Sequence, residues 1–217
     1  MATFQKQVTY ASINDKLKNN GLILRGGFPQ ENQTTLLIGP DEPFFWQYFK
    51  SSSEYNDTLP NPMDRWSKRV IGEIASDTNS RAVYPSDGPP YAPFYTWAVL
   101  SKKAFVSPLK LLVHEDVGLM ISYRGALVLE QSIQLPSSRD KSPCEACSKP
   151  CINACPADAF SVDKYDTDAC KSYLFTPTGK DTCFQQGCSI RLSCPLSPKN
   201  NRHTDQIKFH MKAFLKL

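Results

Sequence analysis

The sequence predicts a two-part chain of mixed α/β (α+β) class. Apolar residues with helix-like and strand-like spacing alternate through residues 1–135. All eight cysteines lie beyond residue 143. Residues 131–143, between these regions, are mostly polar and contain two prolines, as linkers often do. We therefore expect residues 1–135 to form an α/β domain that binds a cofactor or partner, and residues 136–217 to form a separate module.

Helices are predicted where apolar residues recur on one face. The clearest start is at Asn61, which can cap a helix, followed by Pro62 at the first helical position and Asp64 near the positive end. This helix should bury one face made of Trp66, Val70, Ile71 and Ile74. Further helices are predicted over residues 6–19, from 94 to about 104, and over 205–217. The last of them has Thr204 as its cap and an apolar face made of Ile207, Met211, Phe214 and Leu215.

Strands are predicted for short apolar runs near glycine or proline. Gly118 and Gly125 should lie in turns between the last three of them. The predicted strands are 22–24, 35–38, 81–84, 111–114, 119–123 and 126–130.

Residues 85–93 should form a loop, because four prolines remove backbone donors and fix φ. This loop and the residues after it concentrate aromatic side chains, including Tyr91 and Tyr95, that can line a flat pocket. Tyr123 and Arg124 can donate a proton and bind an anion. We take these four residues as the candidate cofactor-binding residues. The alternative is that the aromatics pack a core and Arg124 lies at the surface. His114 is either an axial metal ligand or proton donor, or a turn residue beside Glu115 and Asp116.

The cysteines carry the strongest signal. The first four have the spacing C-x2-C-x3-C-x3-C-P, one residue longer than the bacterial ferredoxin run C-x2-C-x2-C-x3-C-P, whose fourth cysteine ligates the other cluster. Eight thiolates are what two [4Fe–4S] clusters need. Three closely spaced cysteines supply three corners of one cluster, and a remote cysteine before proline supplies the fourth. The predicted ligands are Cys144, Cys147, Cys151 and Cys194 for one cluster, and Cys155, Cys170, Cys183 and Cys188 for the other.

Two other interpretations of the cysteines are open. Two zinc sites would also use eight cysteines, although structural zinc sites usually pair C-x2-4-C knuckles. One cluster with spare cysteines is the second. Small or apolar residues between the cysteines could form a dry shell around the clusters: Ile152, Ala154, Ala157, Phe160, Val162, Ile190, Leu192 and Leu196.

The charge distribution disfavours nucleic acid as a partner. Residues 1–135 contain 13 Lys+Arg and 13 Asp+Glu, so their charges balance. Residues 136–217 contain 12 Lys+Arg and 8 Asp+Glu and therefore carry the whole net charge of +4. Two oxidised clusters with their thiolates would carry about −4, so the basic excess offsets them. The basic residues are also dispersed rather than in one run.

Residues 1–7 lack an apolar secretory core, and no apolar run has the length of a membrane span. We therefore expect a cytoplasmic protein without a membrane partner. A reducing cytoplasm favours metal ligands over disulfides for cysteines at this density.

Several motifs resemble a known group of proteins. Cys144-Glu-Ala-Cys147, Pro150-Cys151-Ile-Asn-Ala-Cys155-Pro156, Cys170-Lys-Ser-Tyr-Leu174, Gly187-Cys188 and Cys194-Pro195 resemble the two-cluster module of epoxyqueuosine reductases and reductive dehalogenases. The segments 61–66 and 88–94 are similar to a smaller group of iron–sulfur proteins related to those enzymes and to CblC-type cobalamin-processing proteins.

This resemblance implies a nitroreductase-like N-terminal domain joined to a bacterial-ferredoxin-like module with two [4Fe–4S] clusters. It also implies cobalamin as a cofactor, by kinship alone, and it transfers no catalytic residue. The first functional hypothesis is an oxidoreductase that passes electrons to a cofactor or substrate in the N-terminal domain. The alternatives are a non-enzymatic electron carrier that docks a redox partner protein, and a cobalamin carrier or processing protein.

Overall fold

The computed structural model describes residues 8–161, 164–197 and 202–217, and its largest element is an antiparallel sheet. The expectations for residues 6–7 and Val162 lie outside this described part. The mixed α+β class is confirmed. The described strands are β1 (Leu22–Gln30), β2 (Gln33–Pro40), β3 (Ser80–Val83), β4 (Ala104–Val106), β5 (Leu112–His114) and β6 (Gly125–Leu129).

The helices are mostly short. A 3-10 turn covers Pro150–Asn153 and a π-helical segment covers Lys180–Phe184. The described α-helices are α1 (Tyr10–Lys18), α2 (Phe45–Lys50), α3 (Ser53–Asn56), α4 (Pro62–Asp77), α5 (Phe94–Leu100), α6 (Thr167–Phe175), α7 (Pro177–Gly179), α8 (Ser189–Ser193) and α9 (Thr204–Leu215).

The chain divides into two compact units whose boundaries differ from the predicted division at residue 135. The first unit consists of residues 1–102 and 122–138, and the second of residues 103–121 and 139–217. Residues 103–121, expected in the first domain, therefore belong with the cysteines. The reason is apolar packing: Leu109, Val113 and Leu119 share one buried cluster with Cys151 and Ile190.

The sheet lies in the first unit and has the order β1-β2-β6-β3, with antiparallel neighbours throughout. Strand β6 runs between two partners and all five of its residues are buried. Such a strand needs apolar side chains on both faces, and its sequence Gly-Ala-Leu-Val-Leu provides them.

Helix α4 supplies much of the first unit's core. Its predicted apolar face is confirmed, since Trp66, Val70 and Ile71 are all at most 2% exposed. The ring of Trp66 meets that of Phe45 at 5.5 Å between centroids, in an edge-to-face arrangement. Burial of large aromatic surface of this kind is a main source of stability in a small core.

Several predicted details are wrong. Asn61 precedes α4 in the left-handed region (φ 53°), and its side chain makes no capping hydrogen bond. The cap of α9 is His203, and Thr204 is already helical. Helix α5 ends at Leu100, and Ala104 starts a strand. Residues 119–123 form no strand, although Gly118 makes a single bridge to His114.

The second unit contains the hairpin β4–β5, which pairs Ala104 with His114 and Val106 with Leu112. Four of the described helical segments in this unit have five residues or fewer, and Cys151, Cys183, Cys188 and Cys194 lie in them or directly beside them. In the parts of the chain that the structure describes, no helix has the length and apolar character needed to cross a membrane.

Candidate metal centre

The first predicted set of cysteines comes together in the second unit. The tight loop at 142–147 orients Cys144, because the backbone N–H groups of Cys144 and Glu145 donate to the Oγ and carbonyl oxygen of Ser142, at 3.2 and 3.1 Å. Cys151 lies in the 3-10 turn and is buried. Cys194 follows α8 and contributes, with Cys144 and Cys151, to the same apolar cluster.

The thiol groups of this set influence one another electrostatically. Burial raises the pKa of the Cys144 thiol, and Cys147 and Cys194 raise it further. Burial also raises the pKa of Cys151, with further contributions from Cys144, Cys194 and Cys147. Cys151 is thus within electrostatic reach of the other three thiols of the set.

Gly118 fits closely against this set. It adopts φ +54°, and a Cβ built on it would lie 2.8 Å from the Cys194 sulfur and 2.7 Å from the Ser197 nitrogen. The turn that carries Gly118 is closed by hydrogen bonds of 2.9 Å in both directions between the backbones of His114 and Gly118. The 103–121 segment is thus part of the wall around Cys194.

The second predicted set lines one partly open pocket. Burial raises the pKa of Cys170, and the thiolates of Cys188, Cys155 and Cys183 also raise it. The remaining wall is largely apolar and includes Met211 from α9. The pocket is lined by Cys155, Cys170, Cys183, Cys188, Pro156, Ala157, Phe160, Tyr173, Leu174, Ser189, Ile190 and Met211.

Local structure explains how these four cysteines converge. Asp166 caps α6 by accepting from the N–H groups of Asp168 and Ala169, and the helix carries Cys170. Cys183 lies in the π-helical segment, and Cys188 lies directly before α8. These short elements change the chain direction between ligands, which lets residues far apart in sequence face one pocket.

Hydrogen-bond donors surround the sulfur atoms. The Cys147 sulfur accepts from the Lys149 N–H at 3.3 Å, and the Cys155 sulfur accepts from the Ala159 N–H at 3.4 Å. The Cys183 sulfur and the Ser189 hydroxyl lie 3.4 Å apart. Such donors stabilise thiolate ligands and help set the potential of a cluster.

The described residues of the predicted dry shell differ in burial, since Ile190 is buried and Ala154, Ala157, Phe160, Leu192 and Leu196 are half-buried. Ile190 is fully buried, and Ala154 and Phe160 pack against the cluster around Cys151. Ile152 is the exception: it is 44% exposed, because the 3-10 turn directs its Cys151 neighbour inward instead.

Two polar residues beside the second set were not identified as site residues from the sequence. Burial raises the pKa of Cys170 and of Cys188, and Tyr165 and Arg191, respectively, oppose this rise. A charged residue between Ile190 and Leu192, inside a ligand segment, is the sequence signal that could have drawn attention to Arg191.

No group of three or more His, Cys, Asp or Glu side chains that could hold a metal ion is found among residues 8–161, 164–197 and 202–217. In a [4Fe–4S] site each cysteine bonds a different iron, so the sulfur atoms stand around a cluster rather than around one ion. The arrangement of the two sets, four thiols each with an apolar surround, fits that chemistry of donors.

The four candidate cofactor-binding residues lie in the first unit and differ in burial. Tyr91 and Tyr95 are 65% and 46% exposed, whereas Tyr123 is buried and its ring centroid lies 6.3 Å from that of Phe94. Burial raises the pKa of Tyr123. Its hydroxyl has no hydrogen-bond partner within the described chain. That the four residues share one ligand remains a prediction.

Arg124 and His114 have observed local roles. The Arg124 side chain donates from Nε to the Tyr123 carbonyl at 3.1 Å. His114 is buried and is the last residue of β5, so it belongs to the predicted strand rather than to a turn, and its Nδ1 accepts from the Asp116 N–H at 3.1 Å.

In comparisons with protein-family models, curated proteins and solved structures, nothing matches this chain.

Proposed function

We propose that the protein is an iron–sulfur oxidoreductase that passes electrons through two [4Fe–4S] clusters to a cofactor or substrate held by its N-terminal unit. The observation that carries this proposal is the pocket lined by Cys155, Cys170, Cys183 and Cys188, the four cysteines that the ferredoxin-like spacing groups together. Bound clusters would supply one-electron chemistry, which none of the twenty side chains supplies readily.

The chain's own residues would hold and shield those clusters. Thiolates bind iron, and the backbone N–H groups of Lys149 and Ala159 neutralise part of the charge on Cys147 and Cys155. The apolar side chains of Phe160 and Met211 would limit water at the second set. A dry surround is one of the features that sets a cluster's potential.

The crossed arrangement favours clusters over two independent knuckles. Cys151 and Cys155 are four residues apart, yet Cys151 is affected electrostatically by Cys144, Cys194 and Cys147, whereas Cys155 lines the pocket of the second set. Crossing of this kind is characteristic of two-cluster ferredoxin modules. A nitroreductase-like fold for the first unit and a ferredoxin-like fold for the second are part of the same proposal.

The buried Tyr123 hydroxyl supports a ligand in the first unit. A buried hydroxyl costs free energy unless it is hydrogen-bonded, and this one has no partner within the described residues. A polar group of a small-molecule cofactor, with cobalamin as the candidate from the sequence resemblance, would satisfy it. In the alternative function, an electron carrier, a redox partner protein would receive the electrons instead.

The first test is anaerobic purification followed by measurement of iron, sulfide and the visible spectrum, with hydroxocobalamin added to one sample. About eight irons per chain are expected for two clusters. A cobalamin-dependent spectral shift would support a corrinoid reductase or carrier. The same iron content without a shift favours the electron carrier or another ligand, and iron-free protein that binds zinc instead would overturn the proposal.

The assignment of ligands is tested by paired variants. Cys155→Ala should remove the cluster of the second set and leave about four irons, and Cys151→Ala should remove the cluster of the first set. Electron paramagnetic resonance of the reduced proteins then distinguishes the two remaining centres. Loss of the same centre in both variants would contradict the crossed arrangement.

A further inference from the structure

Ser189 stands beside two cysteines of the second set. It directly follows Cys188 in the sequence, and its hydroxyl lies 3.4 Å from the Cys183 sulfur, which is hydrogen-bonding distance for sulfur. Ser189 also lines the same pocket as both cysteines. One short side chain therefore connects two of the four thiols that the proposed cluster would use.

The backbone between these residues brings them together. Cys183 is buried in the π-helical segment, and its carbonyl accepts from the Gly187 N–H at 3.0 Å. Gly187 has φ +102°, a conformation that favours glycine because it has no Cβ. The chain thus turns back between Cys183 and Cys188.

On the far side of this turn, Ser189 is the first residue of α8. The Leu192 N–H donates to the Cys188 carbonyl at 3.0 Å, and the neighbouring Ile190 is fully buried. The position of the Ser189 hydroxyl is therefore set by backbone hydrogen bonds and apolar packing of the protein itself.

The chemistry of a metal ligand decides the direction of this hydrogen bond. A hydroxyl can donate or accept, and a free thiol can donate weakly. A cysteine that bonds iron is a thiolate and has no proton, so the Ser189 hydroxyl must be the donor to Cys183. A hydrogen bond to a charged acceptor is roughly twice as strong as one between neutral groups.

Reduction places more negative charge on a cluster and its sulfur ligands, so a donor to a ligand sulfur stabilises the reduced form more than the oxidised form. We propose that the Ser189 hydroxyl donates to the Cys183 thiolate and raises the midpoint potential of the second set's cluster. Ser189 is then a positioning residue, because it binds no iron itself and acts through Cys183. This inference rests on the proposed function.

The test is a redox titration of the anaerobic, cluster-loaded protein with dithionite, followed by electron paramagnetic resonance. Ser189→Ala should lower the midpoint of the second set's cluster by about 59 mV, a tenfold change in the one-electron equilibrium. The matched control is Ser193→Ala in the same helix, because the Ser193 hydroxyl donates to the Ile190 carbonyl at 2.8 Å. Its midpoints should equal those of the wild type.

Two background variants assign the shift to one cluster. Cys151→Ala should keep only the second set's cluster, so adding Ser189→Ala to it should give the full shift. Cys155→Ala should keep only the first set's cluster, and adding Ser189→Ala should leave that midpoint unchanged.

A shape-matched pair separates the hydroxyl from packing. Ser189→Thr keeps a hydroxyl, whereas Ser189→Val has nearly the same shape without one. We expect Ser189→Thr to retain most of the wild-type midpoint and Ser189→Val to show the lowered value.

The outcomes separate this inference from the proposed function. A wild-type protein that takes up no clusters overturns both. An unchanged midpoint in Ser189→Ala, or equal midpoints in Ser189→Thr and Ser189→Val, overturns this inference alone. Loss of the second set's cluster from both hydroxyl-free variants would show a role in assembly and overturn the role in potential.

Discussion

Gly118→Ala should destabilise the second unit and impair the first cysteine set. Gly118 has φ +54°, in the left-handed region, where a residue with a Cβ loses about 1–2 kcal/mol. The new Cβ would also lie within 3 Å of the Ser197 nitrogen, the Cys194 sulfur and the Leu196 carbonyl carbon. Two of these neighbours are backbone atoms, which cannot swing away as the end of a flexible side chain can.

The magnitude follows from these two effects. Overpacking against fixed neighbours costs about 1–3 kcal/mol. Replacing glycine also reduces the entropy of the unfolded chain, which returns up to about 1 kcal/mol. We therefore expect a net loss of about 1–5 kcal/mol, together with displacement of Cys194 and loss of iron from the first set.

A matched control is Gly72→Ala in α4. Its new Cβ would meet the Tyr84 hydroxyl at 3.4 Å, an ordinary contact, and alanine is favoured over glycine within a helix by about 0.5–1 kcal/mol. Urea unfolding followed by circular dichroism measures both variants, and iron analysis after reconstitution follows the site. A Gly118→Ala protein that is as stable and as rich in iron as Gly72→Ala would refute this reasoning.

Two further predictions concern one ion pair and one part of the pocket wall. Glu54→Gln should lower the free energy of unfolding by about 1–2 kcal/mol, because the hydrogen bond from Arg69 lowers the pKa of this carboxyl from 4.5 to about 2. This stabilisation is present above pH 4.5 and is lost as the pH falls towards 2. Urea unfolding should therefore show a smaller difference in stability between wild type and Glu54→Gln at pH 3 than at pH 7. As a control, Glu73→Gln, whose carboxylate is 66% exposed in the wild type, should change the stability little at either pH. Met211→Ala should speed the bleaching of the second cluster in air, because it opens the apolar wall of the pocket. The control Lys212→Ala, on the exposed side of α9, should not. Equal bleaching rates for the two variants, measured by visible absorption, would contradict the shielding role of Met211.

The elements that could be predicted from sequence are those fixed by local pattern. The face of α4 is buried as the spacing of Trp66, Val70 and Ile71 indicates. Helix α2 has no such signal: Phe45, Trp46 and Phe49 are buried, but the residue before the helix makes no side-chain cap. Its position is set by packing of the rings rather than by local sequence.

The same distinction applies to the candidate site. The proposed grouping of the cysteines comes from their spacing and from the two Cys-Pro pairs. The hydrogen bond from Arg191 to segment 103–121 could not be predicted this way. It depends on the folded chain, because the Arg191 side chain donates to the carbonyl of Leu119, 72 residues away.

Segment 103–121 explains why the predicted boundary at residue 135 differs from the observed units. Apolar residues such as Leu109 and Val113 would suit either unit, so hydrophobic pattern alone cannot assign them. What ties the segment to the cysteines is specific: the Leu119 carbonyl accepts from Arg191, and Gly118 leaves room for Cys194. Arg191, which follows Ile190 in the wall of the second set's pocket, is therefore anchored on the same segment that packs against the first set. A change in this segment should for that reason disturb the packing around both sets of cysteines.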